Sequence, residues 1–464
     1  MYRHYHSCLR CFTVAFLVVL TSVHLSAQTY RSFFTGDTAD VVRPHTPGIV
    51  LAGGGTDNND AMSWLIRQAS GGDVVVLRAS GSDGYNRYLF ADLGVTVNSV
   101  ETLLVTSLAG ANDPYVERRI REAEAIFIAG GDQYLYYSLW RNTRLHEALQ
   151  WAISQKRITV GGTSAGMMVL SGAYYTPSGS GITSDQALQN PYHPAMDILG
   201  NGDFLSVSLL RNVITDTHYD QRGRAGRHVT MMARLEQDRS INVRGIACNE
   251  RTAVCIPLLG ADSGIAKVYG SRAEDFAYFM QSHCDVPQSL PEVCKAGEPL
   301  TWNKSGQAVK VYAVQGTTLG TNSFDLRTWN IPGSTSIGTH GGTWQHWAVV
   351  NGQLQQRDGT PPNCGTASSR YTPLMLPSDA VQIHPNPAQD NIMITVSTDY
   401  LRLTPEHHVR AVNVLGQSFS WYHGQAQPLT RVGLDGYPAG QYSVYIENLR
   451  TQTIAQVGSV VITR

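Results

Sequence analysis

The run Gly162-Thr163-Ser164-Ala165-Gly166 places a serine in a Gly-x-Ser-x-Gly pattern. It follows the β-branched residues Ile158-Thr159-Val160 and opens onto the apolar stretch Met167-Met168-Val169-Leu170. A strand, a sharp turn and a helix are the context of a nucleophile elbow. There the serine sits in strained backbone with Oγ exposed, and flanking glycines avoid collision with the neighbouring strand and helix. The amide of Ala165 would stand at a helix N-terminus, where an oxyanion can be stabilised. The implied chemistry is nucleophilic attack on a carbonyl. An ordinary β–α turn with an incidental serine shares the pattern, so the partners must decide.

The first candidate partner is in Val213-Ile214-Thr215-Asp216-Thr217-His218-Tyr219, an apolar run that predicts a strand ending at His218. His218 could serve Ser164 as general base. Asp216, two residues away, would share its face on a regular strand, a spacing awkward for orienting the imidazole, so another acid is called for. Arg222, Arg224 and Arg227 follow, with Gly223 and Gly226 between them. Guanidinium groups near a base could hold a substrate carboxylate in a fork, although such a cluster taken alone is more often a solvated helix start. Ile128-Ala129-Gly130-Gly131-Asp132-Gln133 is a second strand that exits into glycine. Its Gly131 amide could be the second oxyanion donor, with Asp132 and Gln133 lining the pocket. Other motifs fail. His146-Glu147 lacks a second histidine because position 150 is Gln150, and Gly53-Gly54-Gly55 continues into neither a Walker loop nor a dinucleotide fingerprint. No metal and no cofactor are expected.

The elements that must carry these residues form an alternating series from residue 48 to about residue 273. Short apolar strands are predicted at Gly48-Ile49-Val50-Leu51-Ala52, Asp73-Val74-Val75-Val76-Leu77, Thr102-Leu103-Leu104-Val105-Thr106, Ala125-Ile126-Phe127-Ile128-Ala129 and Ile158-Thr159-Val160. Amphipathic helices separate them, the first centred on Met62-Ser63-Trp64-Leu65-Ile66. That pattern predicts an α/β fold, a mostly parallel sheet sandwiched by helices. Glycines at 53, 130 and 161 mark the active edge. Past residue 245 short strands and turns complete the sheet and add a β-rich flank. Residues 357–377 are rich in Pro, Gly, Ser, Thr and Asn and read as a linker, and 378–464 as a small all-β sandwich.

The length, 464 residues, calls for two or three domains. With 15% charged residues and a net charge of −1, nothing points to nucleic acid or to an anionic membrane surface. Arg3 and Arg10 precede an apolar core from Phe12 to Leu20 and the small residues before Gln28. This reads as a signal peptide, 1–27, cleaved after Ala27, which makes the mature chain a soluble, exported protein. Five cysteines then remain, and in an oxidising compartment Cys248–Cys255 and Cys284–Cys294 would pair, leaving Cys364 over.

Taken together, the Gly-x-Ser-x-Gly turn, Gly130-Gly131-Asp132-Gln133 and the series from Asp216 through His218 to Arg222, Arg224 and Arg227 resemble cyanophycinase and its relatives. These are serine peptidases related to dipeptidase E, with a fold like class I glutamine amidotransferases. The resemblance lies within the peptidase domain assigned to 28–356. It implies Ser164 as nucleophile, His218 as base, and a pocket shaped by Asp216, Arg222, Arg224 and Arg227. It also implies an acid in the loop after the nucleophile helix, here Asp185, or Gln186 if the register is one residue later. A secreted peptidase acting on aspartyl-linked, cyanophycin-like peptides is the leading expectation. An aspartyl dipeptidase-like exopeptidase and an inactive, peptidase-fold binding protein are the alternatives. The C-terminal module resembles the type IX secretion sorting domain of Bacteroidetes in Ile383-His384-Pro385-Asn386-Pro387-Ala388, Val414-Leu415-Gly416-Gln417 and the region from Leu434 to Tyr442. That resemblance implies export through the periplasm to the cell surface or medium, with the type IX machinery as a partner. No nucleic-acid partner is expected, and a homodimer is left open.

Overall fold

The computed structural model describes residues 29–199, 203–239, 242–282, 290–330, 341–362 and, in segments, 381–463. The expected signal peptide and most of the expected linker, with Cys284 and Cys364, lie outside these residues. The central sheet has nine strands in the order Arg31–Gly36, Ser99–Leu104, Asp73–Arg78, Ala125–Ile128, Thr159–Thr163, Gly48–Ala52, Ala253–Pro257, Ile265–Tyr269 and Ser323–Asp325. The strands from Ser99–Leu104 to Gly48–Ala52 are mutually parallel. The strands outside them pair antiparallel.

Burial follows strand alternation. Val50, Ala52, Val74 and Val76 pack with Ala61, Met62, Leu65 and Ile66 of helix Asn59–Arg67. Ile49, Leu51, Val75 and Leu77 pack on the opposite face with Val116, Ile120, Tyr136, Trp140, Leu145 and Leu149. Helices Pro114–Glu122, Gln133–Trp140 and Arg144–Trp151 supply these. Both faces of the parallel strands are therefore covered, which is why Gly48–Ala52 and Ala125–Ile128 are apolar throughout.

The strand predicted from Thr102 starts earlier, at Ser99, because its polar residues are buried in pairs. Glu101 is fully buried and accepts from Arg119 Nε at 2.6 Å and from the Tyr115 hydroxyl at 2.8 Å. The strand predicted to stop at Gly161 runs on to Thr163. A β-carbon at Gly161 would lie 2.5 Å from Leu65 Cδ1, so glycine there serves helix packing and not strand termination.

The β-rich flank is a second sheet. Its order is Gln353–Asp358, Gly342–Val350, Val309–Gln315, Phe276–Ser282, Arg244–Cys248 and Val213–Asp216, antiparallel except for the last pair. Ile246, Cys248, Phe279, Tyr312 and Val314 of this sheet join the core cluster of the central sheet. Its outermost strand extends to Asp358, into the stretch read as linker. Described by itself, the C-terminal region is all β. A three-stranded and a four-stranded sheet share one core, with Ile392, Ile394 and Val432 from the first and Val409, Trp421, Tyr442, Val444 and Val460 from the second.

The Cys248–Cys255 disulfide is not formed. Both thiols are free and buried. Cys248 belongs to the second sheet and the core between the sheets, whereas Cys255 lies on the opposite face of the central sheet. Their side chains thus diverge, which disulfide geometry does not allow. Cys294 is likewise free, with no bridge to a described residue.

Candidate active site

Strand Thr159–Thr163 ends at Ser164, which precedes helix Ala165–Met168. Ser164 has φ 52° and ψ −116°, left-handed backbone that a non-glycine residue adopts only under constraint. The flanking glycines are required by contact. A β-carbon at Gly162 would sit 2.3 Å from the Gly166 carbonyl carbon, and one at Gly166 would sit 2.0 Å from Ile128 O. The sharp turn is therefore the product of three closely approaching backbones, with the Ser164 amide fixed to Ala52 O at 3.0 Å.

Strand Val213–Asp216 of the second sheet ends two residues before His218. His218 also has positive φ, 47°, and its amide donates to Gly53 O at 2.8 Å. This places its Nε2 2.8 Å from Ser164 Oγ. On the other side of the ring, Nδ1 lies 2.6 Å from Glu250 Oε1. Glu250 is in the turn between strands Arg244–Cys248 and Ala253–Pro257, with its amide held by Gln221 Oε1 at 3.0 Å. Serine, imidazole and carboxylate thus form one hydrogen-bonded chain. Burial and the positive charges of Arg222 and Arg224 hold the His218 pKa below its ordinary 6.5, while Glu250 opposes them.

The loop 53–55 braces this chain. A β-carbon at Gly54 would lie 2.5 Å from His218 Nε2 and 3.1 Å from Ser164 Cβ, and one at Gly55 would lie 3.0 Å from Glu250 Oε2. The Arg251 amide donates to Gly54 O at 3.0 Å. Of the three glycines that match no nucleotide motif, Gly54 and Gly55 are the surface against which serine, histidine and glutamate pack, and Gly53 lies against Asn249 O.

Several expected site residues have other tasks. Asp185 is exposed in the first turn of helix Ser184–Gln189, and Glu250 occupies the position at Nδ1 that was expected of it. Gln186 is committed to a capping box with Thr183. Asp216 does not orient the histidine. The strand ends at Asp216, the positive φ of His218 breaks the alternation, and the fully buried Asp216 carboxylate takes a fork from Arg227, Nη2 to Oδ1 at 2.6 Å and Nε to Oδ2 at 2.7 Å. Arg227 is itself buried over the Tyr175 ring, so its guanidinium cannot bind a substrate carboxylate as expected. Arg224 is half-buried and bonded to Thr217 O at 2.8 Å, and Arg222 is exposed. Asp132 caps helix Gln133–Trp140 through Tyr134 N, and the Gln133 side chain donates to Tyr175 O at 3.0 Å. Gly130 passes beside Ser164, with a β-carbon position 3.5 Å from Ser164 Cβ, whereas the β-carbon position of Gly131 faces the Tyr136 hydroxyl at 2.8 Å and Ser80 Oγ at 3.3 Å. Ala165, buried, begins the helix, where an amide has no intrahelical acceptor.

Glu250 is the residue that sequence reasoning missed. Its one signal is that Gly245-Ile246-Ala247-Cys248 is an apolar run leading into Asn249-Glu250, an acid at a strand exit, as His218 follows a strand exit.

Residues 84–256 match the family described as Peptidase family S51. The chain is 26% identical over 260 residues to cyanophycinases of Synechococcus elongatus and of Thermosynechococcus vestitus, covering 52% of this chain and 74% of each relative. It is 25% identical over 160 residues to the cyanophycinase of Geminocystis herdmanii, covering 34% of this chain and 54% of the relative. Among solved structures, a peptidase from an acI-B1 actinobacterium overlaps 51% of this chain and 91% of its own at 15% identity, with a TM-score of 0.37.

Proposed function

We propose that the chain is a serine peptidase of the cyanophycinase kind, hydrolysing aspartyl-linked peptides. The observation that carries this is the hydrogen-bonded series Ser164 Oγ, His218 Nε2, His218 Nδ1, Glu250 Oε1, at 2.8 and 2.6 Å, built on a strained turn. Ser164 Oγ attacks the scissile carbonyl as His218 Nε2 takes its proton, and Glu250 stabilises the imidazolium. The amides of Ala165 and Gly131 receive the developing oxyanion. His218 then protonates the leaving amine, and water, deprotonated by the same imidazole, releases the acid from the acyl-enzyme. A carboxylate beside His218 also removes the motive for reading the chain as an inactive binding protein.

Arg222 and Arg224 favour an acidic substrate, since both act electrostatically on His218 and Arg222 is exposed. Measured against β-aspartyl and neutral peptides, Arg222→Ala raises KM for the acidic substrates more than for the neutral ones, and added salt narrows the gap. Equal effects on both would assign Arg222 a structural role. Failure of the wild type to cleave cyanophycin or any peptide in such a panel would sink the substrate assignment.

The C-terminal β-module, in this proposal, is a sorting domain for outer-membrane export. Its core is made of its own residues, and none of Ser164, His218 and Glu250 belongs to it. A chain truncated before Ser378 remains active when purified from a recombinant host but is retained inside the native cell. Normal secretion of the truncated chain would overturn the export assignment.

A further inference from the structure

The reaction does not use Asp57, a half-buried acid with one sealed oxygen. Asp57 follows the loop 53–55 and immediately precedes Asn58, whose side chain caps helix Asn59–Arg67. Asp57 Oδ2 accepts from the Tyr85 hydroxyl at 2.6 Å, and the Tyr85 ring packs on Phe127 with centroids 5.3 Å apart. Oδ1, in contrast, is sealed from solvent without a hydrogen-bond partner of ordinary geometry, and so is Thr163 Oγ1. Thr163 is the last residue of the nucleophile strand and the neighbour of Ser164. The hydroxyls of Tyr85 and Thr163 are the two side-chain groups whose hydrogen bonding acts on the Asp57 carboxyl. The two orphaned oxygens are therefore each other's available partner, and leaving both unmade would carry a desolvation cost.

We propose that Asp57 is a positioning residue whose carboxyl bridges Tyr85 and Thr163, fixing the glycine loop against the nucleophile strand. The inference rests on the serine-peptidase reading. The loop touches all three groups of the hydrogen-bonded chain, so a shift at Asp57 reaches Ser164 through Thr163 and His218 through Gly54. In the bridge the Thr163 hydroxyl donates to Oδ1 and the Tyr85 hydroxyl to Oδ2, and both bonds pull the Asp57 pKa down. Burial outweighs those two bonds and raises the Asp57 pKa above its ordinary 3.8. The titratable groups facing it are Tyr85 and Tyr88, with Arg78 acting on Tyr85 and Asp60 on Tyr88.

The test compares Asp57→Asn and Asp57→Ala in the full chain. Asparagine keeps an acceptor for Tyr85 and a polar partner for the Thr163 hydroxyl but cannot ionise, so it retains wild-type kcat. Alanine lowers kcat by about 10- to 100-fold with little change in KM, the scale of a displaced reacting group.

Melting temperature supplies a readout free of turnover. The folded state holds the Asp57 proton more tightly than the unfolded one, so this group's contribution to stability falls as pH rises from about 4 through its folded pKa. The wild type therefore loses ground to Asp57→Asn over that window. Wild-type kcat in Asp57→Ala, equal damage in Asp57→Asn and Asp57→Ala, or a melting difference flat with pH would each overturn the proposal. Labelling of wild-type Ser164 by a fluorophosphonate decides the peptidase reading separately.

Discussion

Ser164→Ala abolishes peptide hydrolysis and fluorophosphonate labelling while the protein keeps its fold and its melting temperature. The substitution removes only Oγ, whose hydrogen bond is to His218 Nε2. The β-carbon and the strained φ of 52° stay, as do the Gly162 and Gly166 approaches that shape the turn. In a well-studied serine protease, removal of the nucleophile alone costs about 2 × 10⁶ in kcat, because nucleophile and base act as a unit. A loss on the order of 10⁵ to 10⁶ is expected here, measured with purified protein and a cleavable aspartyl peptide. Turnover within about a hundredfold of wild type would remove Ser164 from its assigned role.

Glu250→Gln is strongly damaging, though less than Ser164→Ala, and Asp185→Asn is close to silent. Glu250 holds Nδ1 at 2.6 Å and so selects the imidazole form whose Nε2 can accept the serine proton. The analogous acid-to-amide change in another serine protease costs about 10⁴ in kcat by favouring the wrong tautomer, and a drop on the order of 10³ to 10⁴ is expected. The pH profile adds a second test. Neutral His218 is the base, so kcat/KM rises with pH through the His218 pKa. Glu250 is the group that raises that pKa against burial, Arg222 and Arg224. Its neutralisation therefore moves the acidic limb to lower pH even as the plateau falls. If Asp185→Asn proves the more harmful change, or the limb moves to higher pH in Glu250→Gln, the carboxylate assignment fails.

The α/β frame was legible in the sequence because parallel strands covered on both faces must be apolar throughout, as Gly48–Ala52 and Ala125–Ile128 are. Strand Ser99–Leu104 was legible only in part, since its buried Glu101 is neutralised by Arg119 from a distant helix. Ser164 was legible for a local reason. An elbow needs glycine at both flanks, and those contacts arise within one strand, turn and helix and the strand beside them. His218 was legible as a histidine just beyond an apolar strand.

The sequence by itself thus determined the class of the fold and pointed to the residues proposed as nucleophile and base, since each depends on spacing along a few consecutive residues. Only the tertiary structure decided the acid and the tasks of the arginines. Glu250 meets His218 because strands Val213–Asp216 and Arg244–Cys248 lie parallel and release their next residues at one edge. Asp216 and Arg227 are withdrawn into a buried ion pair because helix Ala225–Arg239 returns over that same strand. Which carboxylate faces an imidazole is fixed by distance in space, and residues 32 apart in the chain carry no local mark of meeting.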